Sequence, residues 1–262
     1  MRLIDSHCHL NYEGIVERQD EVLESARGHG VSGFLNISTR QREWTDVVRV
    51  AEKHPDVWAS VGVHPHEADS HPDLGASALA DAAGHPRVIA IGECGLDYYY
   101  DKSDRHAQRE RFEAHIDAAR NTGLPLVVHT REAEADTSEI LAAAVREGGV
   151  TGVLHCFTGS AELARKGLEL GFFISLSGIV TFKNAQDLQE TAKWLPQEQM
   201  LVETDSPFLA PVPHRGQKCE PAFVADTARF VAALRGEDPE QLAANTTANF
   251  FTLFKKASRE LA

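Results

Sequence analysis

The feature that most restricts the fold is an alternation running the length of the chain. Short apolar runs suited to strands fall at residues 3–9, 33–38, 57–64, 88–95, 124–129, 151–157, 172–177 and 200–205. Stretches of helical or loop character separate them. Helical spacing is clearest at 104–122, with Phe112, His115, Ile116 and Ala119, and at 132–146, with Ile140, Leu141, Ala144 and Val145. Parallel strands need crossovers of about a dozen or more residues, which most of these intervals supply. The pattern predicts an α/β fold, a TIM-type (β/α)8 barrel spanning residues 1–262 as a single domain, and 262 residues is an ordinary length for one. No segment reads as a linker, a repeat or low-complexity sequence. The proline-containing loop from Ser206 to Pro221 is expected to fold over the barrel mouth before two or three closing helices.

The strand ends share a chemistry. His7 and His9 close the first run, Glu93 follows VIAIG, His129 follows LPLVV, His155 follows TGVL, and Asp205 ends MLVETD. Side chains alternate across a strand, so His7 and His9 project from one face and can hold one metal ion. A lone histidine at a strand end is usually structural. Five strands agreeing is a different matter, because barrel active sites are built at the C-terminal ends of the strands. Four imidazoles and two carboxylates suit two divalent cations, with Zn²⁺ favoured by nitrogen and Mg²⁺ or Mn²⁺ by oxygen. By the same parity Asp5 shares a face with His7 and His9, and Glu203 with Asp205. Both are candidate partners for the outer N–H groups of metal-bound histidines, the alternative being carboxylates satisfied by the backbone.

Composition limits the remaining choices. No run approaches the roughly 20 apolar residues that span a bilayer, and the N-terminus has no secretory pattern, so the cytoplasm is the expected compartment and no membrane is involved. The formal charge of −13 argues against a nonspecific coat on nucleic acid. It leaves room for a phosphodiester substrate, since two divalent cations in one pocket would dominate the local field. Four cysteines do not make a disulfide framework. Cys8, Cys94 and Cys156 are expected to turn away from the ligands as small buried hydrophobes, and Cys219 is a loop residue with no evident role.

The blocks DSHCHL, SVGVHP, IGECGLDYYYD, VVHTRE, VLHCFTG, ISLSGIVTFKNA, VETDSPFLAPVPHRG and TTANFFTLF resemble the TatD family of metal-dependent deoxyribonucleases. The resemblance runs nearly end to end and is nearest the bacterial TatD and YcfH-type branch, within the amidohydrolase superfamily. It implies that His7, His9 and Asp205 hold a first metal, His129 and His155 a second, and that Glu93 bridges both. It also implies hydrolysis of DNA, from the 3′ end of single strands. In such chemistry two cations acidify a water, orient it and absorb charge developing on the phosphate. Asp205 and Glu93 are the candidate catalytic residues; Asp205 can accept the water's proton, with a pure ligand role as the alternative.

His64, Arg131, His214 and Arg215 follow strands and are candidate phosphate binders. Of the run Tyr98, Tyr99 and Tyr100, one ring could stack on a base, with Tyr98 the first choice. His54, His71, His85, His106 and His115 are read as packing or surface residues. Fold and site alone do not choose among ester classes, so a small ester, amide or nucleotide hydrolase is the alternative, and a metal-bound scaffold of low turnover a further one. A monomer is expected.

Overall fold

The structure, a computed structural model, describes residues 2–257. Eight parallel strands form one sheet in chain order: β1 (Leu3–Cys8), β2 (Val31–Asn36), β3 (Val57–Val61), β4 (Val88–Asp97), β5 (Leu126–Arg131), β6 (Gly152–Leu154), β7 (Phe173–Leu176) and β8 (Met200–Val202). Between successive strands run α1 (Gln19–Gly28), α2 (Trp44–Lys53), α3 (Ala76–Ala83), α4 (Arg105–Thr122), α5 (Glu134–Gly148), α6 (Ala161–Glu169) and α7 (Gln186–Trp194), followed by α8 (Val224–Arg235) and α9 (Pro239–Leu253). The barrel expectation is borne out.

Closure between the first and last strands is made just beyond β8. Asp205 donates its N–H to the His7 carbonyl at 2.9 Å, and His9 donates to the Ser206 carbonyl at 2.9 Å. The segments that carry three of the candidate ligands therefore also complete the wall.

Strand alternation sorts the apolar side chains into two layers. One faces the helices and includes Leu3, Phe34, Val61, Leu126, Val128 and Leu154, with Phe112 of α4 in the same cluster. The other fills the barrel interior with Ile4, Leu35, Trp58, Ile89, Val127 and Leu201, and α9 adds Phe250 and Phe254 to it. The Trp58 and Phe250 rings lie 5.3 Å apart. Burying side chains of this size stabilises the fold by roughly 1.5–3 kcal/mol each. The barrel core is thus closed by α9, and polar side chains are left for the opposite, C-terminal mouth.

Local devices set the loops. Asp104 accepts the N–H groups of His106 and Ala107 and starts α4; Ser160 caps α6, and Asp238 with Pro239 starts α9. Gly95 has φ of +125°, and a Cβ there would meet the His129 carbonyl oxygen at 2.0 Å. Only glycine lets β4 pass this close to β5 beside His129.

The strand ends depart from expectation in both directions. β6 and β8 stop at Leu154 and Val202, so His155 and Asp205 sit one and three residues beyond them. β4 continues to Asp97, two residues further than expected. These shifts decide which neighbouring side chains face the mouth.

Candidate metal centre

The six strand-end residues converge. Nε2 of His7 lies 3.3 Å from Nε2 of His9 and 3.5 Å from Oδ1 of Asp205, and His9 lies 3.4 Å from the same oxygen. Glu93 faces this trio with Oε2, 3.5 Å from His7, and turns Oε1 to His155 at 2.9 Å and His129 at 3.4 Å. Ligand atoms around one tetrahedral ion with bonds of 2.0–2.1 Å stand roughly 3.3 Å apart. The His7, His9, Asp205 spacing matches that figure, and the donor set of imidazoles and carboxylates is a metal-binding one. Nδ1 of His7 is buried without a hydrogen-bond partner among the described residues.

Local backbone serves the convergence. Asp205 has φ of 56°, a left-handed conformation that Asp tolerates better than most residues, and it turns the carboxylate inward just past β8. His9 is held from both sides: its Nδ1 is 3.2 Å from the Ile37 carbonyl oxygen, and its ring stacks on Tyr12 at 4.5 Å. Tyr12 is fixed in turn by its hydroxyl, 2.6 Å from that of Thr39. The His7 and His155 rings stack at 3.8 Å and 8°.

Outer contacts complete the arrangement. Glu203 places Oε1 3.3 Å from Nδ1 of His155 and accepts the Cys156 N–H at 2.7 Å. Asp5 takes the alternative arrangement, satisfied by backbone and hydroxyl groups rather than by a ring N–H. Its carboxyl meets the N–H and the hydroxyl of Thr204, at 2.9 and 2.6 Å, and touches no imidazole ring. The carboxylate behind His129 is one the sequence reading passed over: Asp97, whose Oδ2 is 3.1 Å from His129 Nε2 and 2.8 Å from His66 Nε2. Its other oxygen accepts the N–H groups of Tyr99 and Tyr100. The signal was present, because Asp97 follows Glu93 by four residues in the same strand. His66, two residues after His64, was also missed.

Charge is distributed unevenly. Burial would raise the Glu93 carboxyl, but the imidazoles of His155, His64 and His129 outweigh it and hold the group ionised, well below the usual carboxylate range. Burial would lower His155, yet the Glu93 and Glu203 carboxylates raise it. His7 is lowered by burial and by its neighbour His155. His64 is pushed down to about 4, chiefly by burial, against the pull of Glu93. Asp5 is pushed up to about 8 by burial, so its carboxyl is neutral over much of the physiological range.

A cavity of about 690 Å³ opens above these groups, and His64, His66, Tyr100, Lys102, Arg131 and Phe208 are among the residues that line it. Such a volume falls within the range of ligand-binding clefts. Three of the candidate substrate-binding residues do not line it. Tyr98 is outside the lining: with β4 running to Asp97, Tyr98 points to the helix side, its hydroxyl 2.6 Å from Asp136 of α5 and its ring under Arg105 of α4. His214 is drawn off by α8, stacked on Phe223 at 3.8 Å with Nε2 3.0 Å from Asp226. Arg215 packs over the Phe182 ring at 3.7 Å. Neither of this pair lines the cavity. Cys156 does, against expectation; alternation ends with β6 at Leu154, and at φ of 42° its sulfur sits 3.2 Å from the Ser177 hydroxyl. Cys8 and Cys94 are buried in the helix-facing layer as expected, and Cys219 is buried too.

The sequence matches the family described as TatD related DNase over residues 4–255. It is 45% identical over 260 residues to the "Uncharacterized metal-dependent hydrolase YcfH" of Escherichia coli (strain K12), covering 97% of this chain and 96% of the relative. It is 35% identical over 258 residues to the "3'-5' ssDNA/RNA exonuclease TatD" of Erwinia tasmaniensis, covering 96% and 99%. Among solved structures, that of YJJV, a TatD homolog from Escherichia coli K12, superposes with a TM-score of 0.91 at 26% identity over 97% of this chain and 98% of that one. Fold, ligand cluster and relatives together define a metal-dependent hydrolase built on a parallel barrel. The chain belongs to the TatD family.

Proposed function

We propose that this protein hydrolyses phosphodiester bonds of DNA, removing nucleotides from the 3′ end of single strands, with two divalent cations bound at the barrel mouth. One observation carries the reading: Glu93 stands between two sets of imidazoles, His7 and His9 on one side and His129 and His155 on the other. His7, His9 and Asp205 would hold one ion, His129 and His155 the other, and Glu93 both. Bound there, the ions would acidify a water and neutralise charge on the phosphate. Zn²⁺, Mn²⁺ and Mg²⁺ are the candidates for this mixed donor set.

The chain's own groups do the rest. Asp205 is the ligand carboxylate with the most access to the cavity, its side chain 15% exposed, which suits it to take a proton from the attacking water. Glu203 fixes the His155 ring from behind, and Asp97 fixes His129. His64 would meet a non-bridging oxygen of the scissile phosphate, a role supported by its position at the cavity wall with Nε2 3.2 Å from Glu93.

The test follows release of nucleotides from end-labelled single-stranded DNA, duplex DNA and RNA, with Mg²⁺, Mn²⁺, Zn²⁺ or chelator. Metal-dependent shortening of single strands from the 3′ end that is lost in Glu93→Ala supports the reading. Metal-bound protein that cuts none of these strands, yet hydrolyses a small ester or amide, overturns it.

A further inference from the structure

Among the described residues, the arginine and lysine side chains that line the cavity are Arg40, Lys102 and Arg131. Arg40 is committed, with one arm on Glu43 at 3.0 Å and the other on Glu67 at 2.7 Å. Arg131 and Lys102 are not. Among the described residues, neither has a carboxylate within ion-pair distance, although the chain carries a charge of −13. Arg131 is ordered by aromatic faces, its guanidinium 4.2 Å from the Tyr99 ring centre and 4.8 Å from that of Tyr100. Lys102 lies 5.5 Å over the Tyr100 ring. Stacking fixes a guanidinium while leaving its in-plane N–H donors free, the state in which Arg grips a phosphate with two parallel hydrogen bonds.

Position says which phosphate. Arg131 follows His129 by two residues on β5 and shares its face, which puts it roughly 6–7 Å further toward the mouth. That step is comparable to the distance between successive phosphates along an extended strand. Asp97 couples the two levels. One of its oxygens faces the His129 ring, and the other holds the N–H groups of the two tyrosines on which Arg131 rests.

We propose that Arg131, with Lys102, forms a subsite for the phosphate on the 5′ side of the scissile one, so that the protein selects strands carrying a second phosphate beside the bond it cuts. The proposal rests on the phosphodiesterase reading above and deepens it. Tyr99 and Tyr100 act as positioning residues for the guanidinium. A strand that enters by its 3′ end then leaves the cavity over the β4 and β5 side.

The experiment compares kcat/KM of the metal-loaded protein on three substrates: the dinucleotide TpT, the trinucleotide TpTpT, and pTpT, which restores the second phosphate without a third nucleoside. TpTpT and pTpT are expected to exceed TpT by about tenfold, mainly through KM, with the ratio falling near one in Arg131→Gln and in between for Arg131→Lys. Lys102→Gln is expected to weaken the dependence of the trinucleotide reaction on salt by about one unit of log–log slope. If all three substrates react alike, or if Arg131→Gln and Arg131→Lys both leave the ratio unchanged, the subsite is wrong and the phosphodiesterase reading stands. Preference for TpTpT that pTpT does not share overturns it too, pointing to base stacking. If the wild type cuts none of the three with any metal, while binding metal, both readings fall.

Discussion

Asp97 Oδ2 lies 3.1 Å from Nε2 of His129, the ring whose Nδ1 faces Glu93. A carboxylate in that position fixes the imidazole's tautomer and plane. Asp97→Asn is expected to weaken divalent-ion affinity about 10- to 100-fold with the fold intact. Calorimetric metal titration of the purified variant checks this. Unchanged affinity would assign Asp97 to the tyrosine turn alone.

Asp5 gives a pH signature. Its carboxyl is pushed up to about 8 in the fold from an ordinary value of 3.8, so the folded chain holds the proton more tightly than the unfolded one. Stability from this group is complete below about pH 4 and is lost as pH rises toward 8, at about 1.4 kcal/mol per pH unit at most. Asp5→Asn, which can still pair with the Thr204 N–H and hydroxyl, should become progressively more stable relative to wild type from pH 5 to pH 8. Thermal unfolding of chelator-treated protein measures this. A difference that stays flat with pH would refute it.

His115 carries the opposite sign. It is buried between α4 and the start of the β3 loop, taking the Val63 N–H on Nε2 at 2.9 Å, with Nδ1 at 2.6 Å from the Arg111 carbonyl oxygen. Burial pushes it down to about 4, so its contribution is present above pH 6.5 and lost as pH falls toward 4. His115→Leu strands the Val63 N–H and should cost about 1–3 kcal/mol at pH 7 by denaturant unfolding, with the deficit shrinking at pH 5. A deficit that grows toward acid would contradict the neutral-ring assignment.

Tyr98 and His214 are spoken for by Asp136 and Asp226, away from the cavity. Tyr98→Phe and His214→Ala should therefore leave kcat/KM on single-stranded DNA within about twofold of wild type, with stability losses near 1 kcal/mol. A loss of activity beyond about tenfold in either would return that residue to the substrate path.

The barrel and the convergence of its ligands were legible because both depend on periodicity and strand ends, which the chain displays openly at DSHCHL, IGECG, VVHT, VLHC and VETD. What alternation could not supply was the point at which each strand stops. Two further residues of β4 move Tyr98 to the helix side and bring Tyr100 to the cavity, and the early end of β6 lets Cys156 line it. Partner choice was equally hidden. Asp5 bonds to Thr204, Asp97 takes His129 and His66, and His214 is captured by α8, because long-range packing decides among carboxylates that parity leaves equivalent.

The central claim is that Glu93 joins two divalent ions at this mouth. Metal content after equilibrium dialysis, measured by mass spectrometry for wild type and Glu93→Gln, tests it most directly. The account predicts two ions per wild-type chain, a loss of at least one in the variant, and nuclease activity that falls with it. Full metal content in Glu93→Gln, or no binding by the wild type at micromolar free metal, would contradict it.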